Sequence, residues 1–266
     1  MRYIIFTDLD GTLLDSETYE FSEALSSIDL IKKKGYPLII VTSKTRSEVL
    51  PILKELEINF PFVVENGGGV FFFKANLDLF SEKLDLIDNF YVKIFGKTYD
   101  KIRNIFGKLK EMAPLLGFGD MDDKTIAELT QLPIEQVKNA KKREFSEPFI
   151  FEKDEDLFLG KVIDMSSKYN TKVLKGGRFY HLVGAEQDKG KSVRYLISLF
   201  ERLYGNVISI GLGDSKNDVD FLKVVDIPIV IRRKNGSFLD VKLENKIVSD
   251  LPETRGWNEV LLEVLK

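Results

Sequence analysis

The stretch "FTDLDGTLLD", residues 6–15, sets Asp8 and Asp10 two residues apart, directly after the apolar run Tyr3 to Phe6, and follows them with Gly11 and Thr12. Two carboxylates this close repel one another unless a cation or a shared proton relieves them. A carboxylate can attack phosphorus when a cation neutralises the approaching phosphate. With a second carboxylate nearby, one group can attack while the other protonates the leaving oxygen and later activates water. Gly11 and Thr12 let the backbone turn sharply and present N–H donors to phosphate oxygens. The same letters also suit a plain strand-to-turn junction.

A second constellation, "IGLGDSKND" at 210–218, closes an apolar run with Gly213 and Asp214 and offers Asn217 and Asp218 about one helical turn further on. Such converging oxygen ligands suit Mg²⁺, which takes a few carboxylates together with waters and substrate phosphate. Thr42 closes the run "PLIIV", where a hydroxyl and the N–H groups after it could hold a transferring phosphoryl oxygen. Ser43 competes for that role, and either residue could instead cap the helix that begins near Ser47. Lys189 stands at the start of a helix, where a cation gains nothing from the macrodipole, so facing phosphate explains its place; Lys191 is close by.

The elements that would position these groups follow from hydrophobic patterning. The runs 3–6, 37–41, 61–64, 206–212 and 227–231 are short, continuous and β-branched, as in strands buried on both faces. Helical patterns lie between them: Phe21 to Lys34 before Gly35, Ser47 to Glu57, Lys189 to Tyr204 before Gly205, and Asp218 to Val225. This alternation predicts an α/β fold with a doubly wound parallel sheet. Asp8, Thr42, Glu65 and Asp214 then fall at carboxyl ends of strands, where such sheets carry their sites. The middle of the chain mixes strands (89–95, 147–152, "TKVLK", "FYHLVG") with helices (about 98–113, "DKTIAELT", "PIEQVKNAKK", about 155–168), without parallel-type runs. The expected organisation is a core of residues 1–83 and 185–266 with an α+β insertion over 84–184, joined by short, hinge-like crossings.

Composition narrows the chemistry. With 39 basic and 42 acidic residues interleaved and a net charge of −3, a broad nucleic-acid footprint is absent. No apolar run approaches the roughly 20 residues of a membrane helix, and "MRYIIFTDLD" is too short and acidic for a signal peptide, so a soluble, cytoplasmic protein is expected. With no Cys and His181 as the single histidine, thiolate and multi-histidine zinc sites are excluded and any metal must be held by oxygen. The charged share of 30%, mainly Lys and Glu, leans towards a thermophile.

Together, "DLDGT", a Thr closing the second strand, a Lys before a helix and "GDSKND" resemble the haloacid dehalogenase superfamily of phosphotransferases, in order and in rough spacing. The insertion after the third strand resembles the C2-type cap of its Cof-like branch. The resemblance implies Asp8 as nucleophile, Asp10 as acid/base, Thr42 and Lys189 as phosphate binders, and Asp8, Asp10 (through its carbonyl) and Asp214 as Mg²⁺ ligands, with Asn217 and Asp218 in support. "TSKTR", "ENGGGV" and "KGGRFYHLVG" are similar, in combination, to the mannosyl-3-phosphoglycerate phosphatases, which act on a glycosyl phosphoglycerate on the way to a compatible solute. That likeness implies a small phosphorylated sugar-acid substrate, mannosyl or glucosyl, and no nucleic-acid or membrane partner; the chain would be a monomer or homodimer. The expected substrate contacts are Ser43, Lys44 and Arg46, with the two cations on the carboxylate, then Glu65, Asn66, Gly67 and Gly68, then Arg178 and His181 presented through Gly176 and Gly177.

Other classes use parts of this pattern. A signalling receiver also has an acidic pocket, a hydroxyl and a lysine, but is about half this length and has neither the paired D-x-D nor a cap. A D-x-D glycosyltransferase needs a nucleotide pocket, and "DLD" on the first strand argues against it. A broad sugar phosphatase or a sugar phosphomutase would use the same residues.

Overall fold

The computed structural model describes residues 2–79, 83–176 and 178–266. Gly177, one of the two glycines expected to present the cap strand, lies outside them. In chain order the first elements are β1 (Arg2–Thr7), α1 (Leu25–Lys34), β2 (Leu38–Ile40), α2 (Arg46–Glu55), β3 (Phe62–Val64) and β4 (Gly69–Phe72). The middle contains β5 (Asp85–Ile87), β6 (Phe90–Ile94), α3 (Tyr99–Lys110), β7 (Leu115–Gly117), α4 (Asp123–Thr130), α5 (Ile134–Ala140), β8 (Ser146–Phe151), α6 (Glu155–Lys168), β9 (Thr171–Lys175) and β10 (Tyr180–Gly184). The chain then returns through α7 (Lys189–Tyr204), β11 (Val207–Gly213), α8 (Val219–Leu222), β12 (Ile227–Arg232), β13 (Ile247–Pro252) and α9 (Glu253–Val264).

The five strands β13-β12-β11-β1-β2 pair in parallel in that spatial order. β1 is apolar on both faces because both are covered. Ile5 packs with residues of α1, α2 and α9, whereas Ile4 and Phe6 pack with residues of α7 and α8. The fold is thus the expected doubly wound α/β core. α1 ends where Gly35 takes a left-handed φ of 65° and donates to the carbonyls of Ile31 and Lys32. The apolar stripe of α7, Val193, Leu196, Leu199 and Phe200, has the spacing of one helical face.

A second, antiparallel sheet runs β3-β4-β6-β5 and meets the first through a bridge between Val41 and Val63. β5 and β6 belong to this sheet, although both follow residue 84, the expected start of the insertion. The third sheet, β7-β8-β10-β9, is also antiparallel. α3 and α6 pack with it around Phe106, Phe149 and Val162, and α4 and α5 form a separate cluster with Phe118 and Met121. The second sheet thus shares its apolar clusters with the parallel core, whereas the third sheet and α3 to α6 have clusters of their own.

Candidate active site

The site lies where β11, β1 and β2 run side by side and end together. Asp8 follows β1, and its N–H donates to the Leu212 carbonyl of β11 at 2.9 Å. Its carbonyl accepts from Thr7 Oγ1 at 2.7 Å, and that hydroxyl accepts from the buried Trp257 Nε1 at 2.9 Å. The backbone of the candidate nucleophile is therefore fixed from two sides. Gly11 turns the chain with φ 72°, and a Cβ there would stand 3.5 Å from the Asp214 carboxyl carbon.

Beneath Asp8 lies Lys189. Its Nζ is 2.7 Å from Asp8 Oδ1 and 2.7 Å from Asp218 Oδ1, and its side chain is fully buried. Asp218 Oδ2 accepts from the N–H groups of Asp214 and Ser215 at 3.1 and 3.0 Å, which pins the loop after β11. Asp214 meets Arg233 Nε at 3.2 Å. Asp8 Oδ2 makes no hydrogen bond to the described residues and is free to face a substrate.

Burial, Asp218 and Asp214 push the Asp8 acid well above the usual carboxylate range, with Lys189 pulling the other way. Burial and Asp218 likewise lift Asp214 to about 7, against Arg233. Burial alone would lower Lys189, but Asp218 and Asp8 hold its ammonium above its ordinary range. The cluster is thus short of positive charge. Asp8, Asp214 and Asp218 each offer a buried carboxylate oxygen, all within 4.8 Å of one another. Such an oxygen-only, electron-rich set fits a divalent metal. Asp10 adds no carboxylate to it: its Oδ1 lies 3.0 Å from Lys44 Nζ, which also stands 3.9 Å from Glu48.

A cavity of about 540 Å³ opens above Asp8, bounded on the core side by Asp10, Ser43, Lys44, Asp214 and Asn217. Its opposite wall comes from residues in and around the third sheet, through Phe118, Arg143, Arg178, Phe179 and His181. Ser43 lies in this wall, whereas Thr42 is buried beneath it, with Oγ1 accepting from the Lys44 N–H at 3.2 Å. Thr45, and neither Thr42 nor Ser43, caps α2, through a reciprocal box with Glu48. His181 is buried and its Nδ1 has no hydrogen-bond partner; burial and Arg143 lower its pKa to about 3. Arg178 is exposed and donates to the Leu129 carbonyl at 3.1 Å.

Five expected substrate contacts are not in this wall. Arg46 is committed to Glu144 at 3.0 Å and Asp88 at 2.6 Å. Glu65 is fully buried and accepts from the Glu144 and Phe145 N–H groups and from Ser146 Oγ at 2.7, 3.1 and 2.6 Å. Gly67 and Gly68 do permit close approach, but of the protein to itself: added Cβ atoms would stand 2.1 Å from the Asp188 carbonyl oxygen and 2.5 Å from Phe145 Cβ. Asn66 accepts from Asn217 Nδ2 at 3.1 Å and braces the loop after β11. Conversely, Arg143 and Arg233 reach the site without having been expected there. Arg233 follows the carboxyl end of a parallel strand, the position rule that found Asp8. Arg143 sits in "KKRE", which has no motif to mark it.

A family model described as haloacid dehalogenase-like hydrolase matches residues 5–242. A glucosyl-3-phosphoglycerate/mannosyl-3-phosphoglycerate phosphatase of Persephonella marina is 45% identical over 263 residues, covering 98% of this chain and 97% of its own. A protein of the same description from Methanococcoides burtonii is 37% identical over 272 residues, covering 100% and 98%. Among solved structures, one from Thermoplasma acidophilum covers 100% of both chains with a TM-score of 0.69 at 18% identity, a likeness of fold.

Proposed function

This chain belongs to the haloacid dehalogenase-like hydrolases, and from that premise we propose that it hydrolyses the phosphate ester of mannosyl- and glucosyl-3-phosphoglycerate, leaving the glycosylglycerate. It is a phosphoric monoester hydrolase. The observation that carries the reading is the placement of Asp8 on the floor of a cavity large enough for a glycosylated three-carbon acid, with Lys189 directly beneath it.

Asp8 Oδ2 attacks phosphorus and forms an aspartyl-phosphate as the ester P–O bond breaks. Asp10, two residues on, must first be protonated and released from Lys44, and it then gives that proton to the departing alkoxide oxygen. The same carboxylate then takes a proton from a water that attacks the aspartyl phosphorus, returning Asp8 and releasing phosphate. Lys189 steadies Asp8 and the charge that builds on the phosphoryl oxygens, and the Ser43 hydroxyl and the N–H groups of its loop hold those oxygens. Asp8, Asp214 and Asp218 are the residues that would hold a metal, with the Asp10 carbonyl the further ligand expected from the sequence. For this oxygen-only set the proposed ion is Mg²⁺. When bound, it supplies the positive charge that lets a phosphate dianion approach the carboxylates. The insertion expected over 84–184 acts as a lid in this reading, supported by the presence of Arg143, Arg178 and His181 in the cavity wall.

The test is phosphate release across a panel of esters with Mg²⁺ present. The expected kcat/KM for both glycosyl-3-phosphoglycerates exceeds that for mannose 6-phosphate, glucose 6-phosphate and free 3-phosphoglycerate by roughly ten- to a hundredfold. Equal efficiency on the simple sugar phosphates would leave the phosphatase assignment and remove the substrate.

A further inference from the structure

A substrate with a carboxylate beside its phosphate needs a cation other than the one under the nucleophile. Among the described residues three cations line the cavity: Lys44, Arg143 and Arg178. Lys44 is engaged with Asp10 at 3.0 Å, a closer pairing than any carboxylate among the described residues makes with Arg143. Arg178 is exposed and tied to the far end of α4 through the Leu129 carbonyl. Arg46, the other cation expected to bind the acid, is held by Glu144 and Asp88 away from the cavity. Arg143 remains.

Its side chain is only 6% exposed, and it is held rigidly. Nε donates to the Ala140 carbonyl at 2.8 Å and Nη1 to the Ser43 carbonyl at 2.9 Å. Nη2 makes no hydrogen bond among the described residues, with Glu48 Oε2 3.7 Å away. A pinned guanidinium with donors to spare is suited to a carboxylate. Its attachment to Ser43 places it beside the loop that would meet the phosphate. In a 3-phosphoglycerate unit the carboxylate is only a few bonds from phosphorus, so the acid and the phosphate must be read by neighbouring groups.

A second observation on the same wall points to a polar ligand. The buried imidazole of His181 lines the cavity with Nδ1 unpartnered, although buried polar groups are normally satisfied. A sugar hydroxyl would satisfy it. Resting on the substrate reading above, we propose that Arg143 is the specificity-determining residue that binds the substrate carboxylate, with His181 beside it on a sugar hydroxyl.

The test compares two esters on each protein: mannosyl-3-phosphoglycerate, and the matching mannosylglycerol phosphate in which a hydroxymethyl group replaces the carboxylate. The wild-type ratio of kcat/KM is expected to favour the acid by about 100-fold, and Arg143→Met should bring it within about threefold of one. Arg143→Lys should keep an intermediate ratio, since it retains the charge and loses the planar fork. It also decides the matter alone should Arg143→Met fail to fold, an unchanged ratio overturning the proposal. Because the ratio is taken within one protein, damage to the Ser43 loop lowers both terms equally. A loss shared equally by the two esters would therefore mean that Arg143 only secures that loop, and the proposal falls. Fast wild-type hydrolysis of both esters with a ratio near one also removes the role of Arg143 but leaves the substrate class. Wild-type turnover of neither ester above glucose 6-phosphate would sink the substrate reading itself.

Discussion

Lys189 Nζ stands 2.7 Å from Oδ1 of Asp8 and 2.7 Å from Oδ1 of Asp218, so one buried ammonium compensates two buried carboxylates. The arrangement gives Lys189 a structural role beside its proposed catalytic one. Lys189→Met removes that charge and leaves both carboxylates without it, a change that costs about 3 to 5 kcal/mol when a buried pair is broken. Urea unfolding without divalent metal should show the loss, and initial rates should fall by roughly 10² or more. A variant as stable as the wild type would mean that the carboxylates are neutral in the folded protein.

Removing divalent metal should abolish activity, and Mg²⁺ should restore it, because Asp8, Asp214 and Asp218 crowd together with too little positive charge nearby. A ligand that binds only the folded state adds about 2.7 kcal/mol at a hundred times its dissociation constant. Thermal unfolding should therefore shift upward with added Mg²⁺, and the shift should vanish in Asp214→Asn. Full activity after exhaustive chelation would contradict the assignment of the three carboxylates.

His181, the single histidine, offers an unobstructed reading of burial. Burial, then Arg143, lowers its pKa to about 3, so the folded protein holds it neutral where an unfolded chain would protonate it. The unfolded state thus binds the extra proton, and this contribution to stability is complete above about 6.5 and is lost as pH falls towards about 3. The imidazole resonances should not titrate between about pH 7 and pH 5, and His181→Gln should flatten the fall in stability over the same interval. A midpoint near the ordinary value would show the ring to be solvated.

Gly67 has φ 87°, and an added Cβ would stand 2.1 Å from the Asp188 carbonyl oxygen. Asp188 caps α7 and precedes Lys189, so the clash is transmitted to the site. Gly67→Ala should cost about 2 kcal/mol or more and reduce turnover. Gly160→Ala, in α6 with nothing within 4 Å, should be neutral or stabilising by up to about 1 kcal/mol. Chemical denaturation of the two variants side by side checks both directions.

The part of this site that is legible in the sequence is the part built from strand ends. Asp8 and Asp214 are announced by continuous apolar runs, because strands covered on both faces cannot alternate. The short strands β5 and β7 span three residues each, too few to show a period. β4 hides in a glycine-rich and aromatic stretch, and its place is set by pairing with β3 and β6. α9 is different: Trp257, Val260, Leu261 and Val264 have helical spacing, so its signal is present in the sequence. The side-chain roles of Glu65 and Arg46 are not local at all. Their partners at 144–146 lie about 80 to 100 residues away, and only the folded chain brings them together. Arg143 is hidden for the same reason, since a basic run in sequence does not reveal which cation is buried.

The central claim is that Asp8 becomes phosphorylated during turnover of a glycosyl-3-phosphoglycerate. The direct measurement is acid quench within one turnover of mannosyl-3-phosphoglycerate labelled at phosphorus, followed by peptide mapping. Label is expected on the peptide carrying Asp8, released by alkali as an acyl phosphate would be, and longer-lived in Asp10→Asn, where acid–base assistance worth about 10² or more is gone. Asp8→Asn should neither carry label nor release phosphate. Phosphate release at the full rate by Asp8→Asn, or label on a residue other than Asp8, would contradict the account.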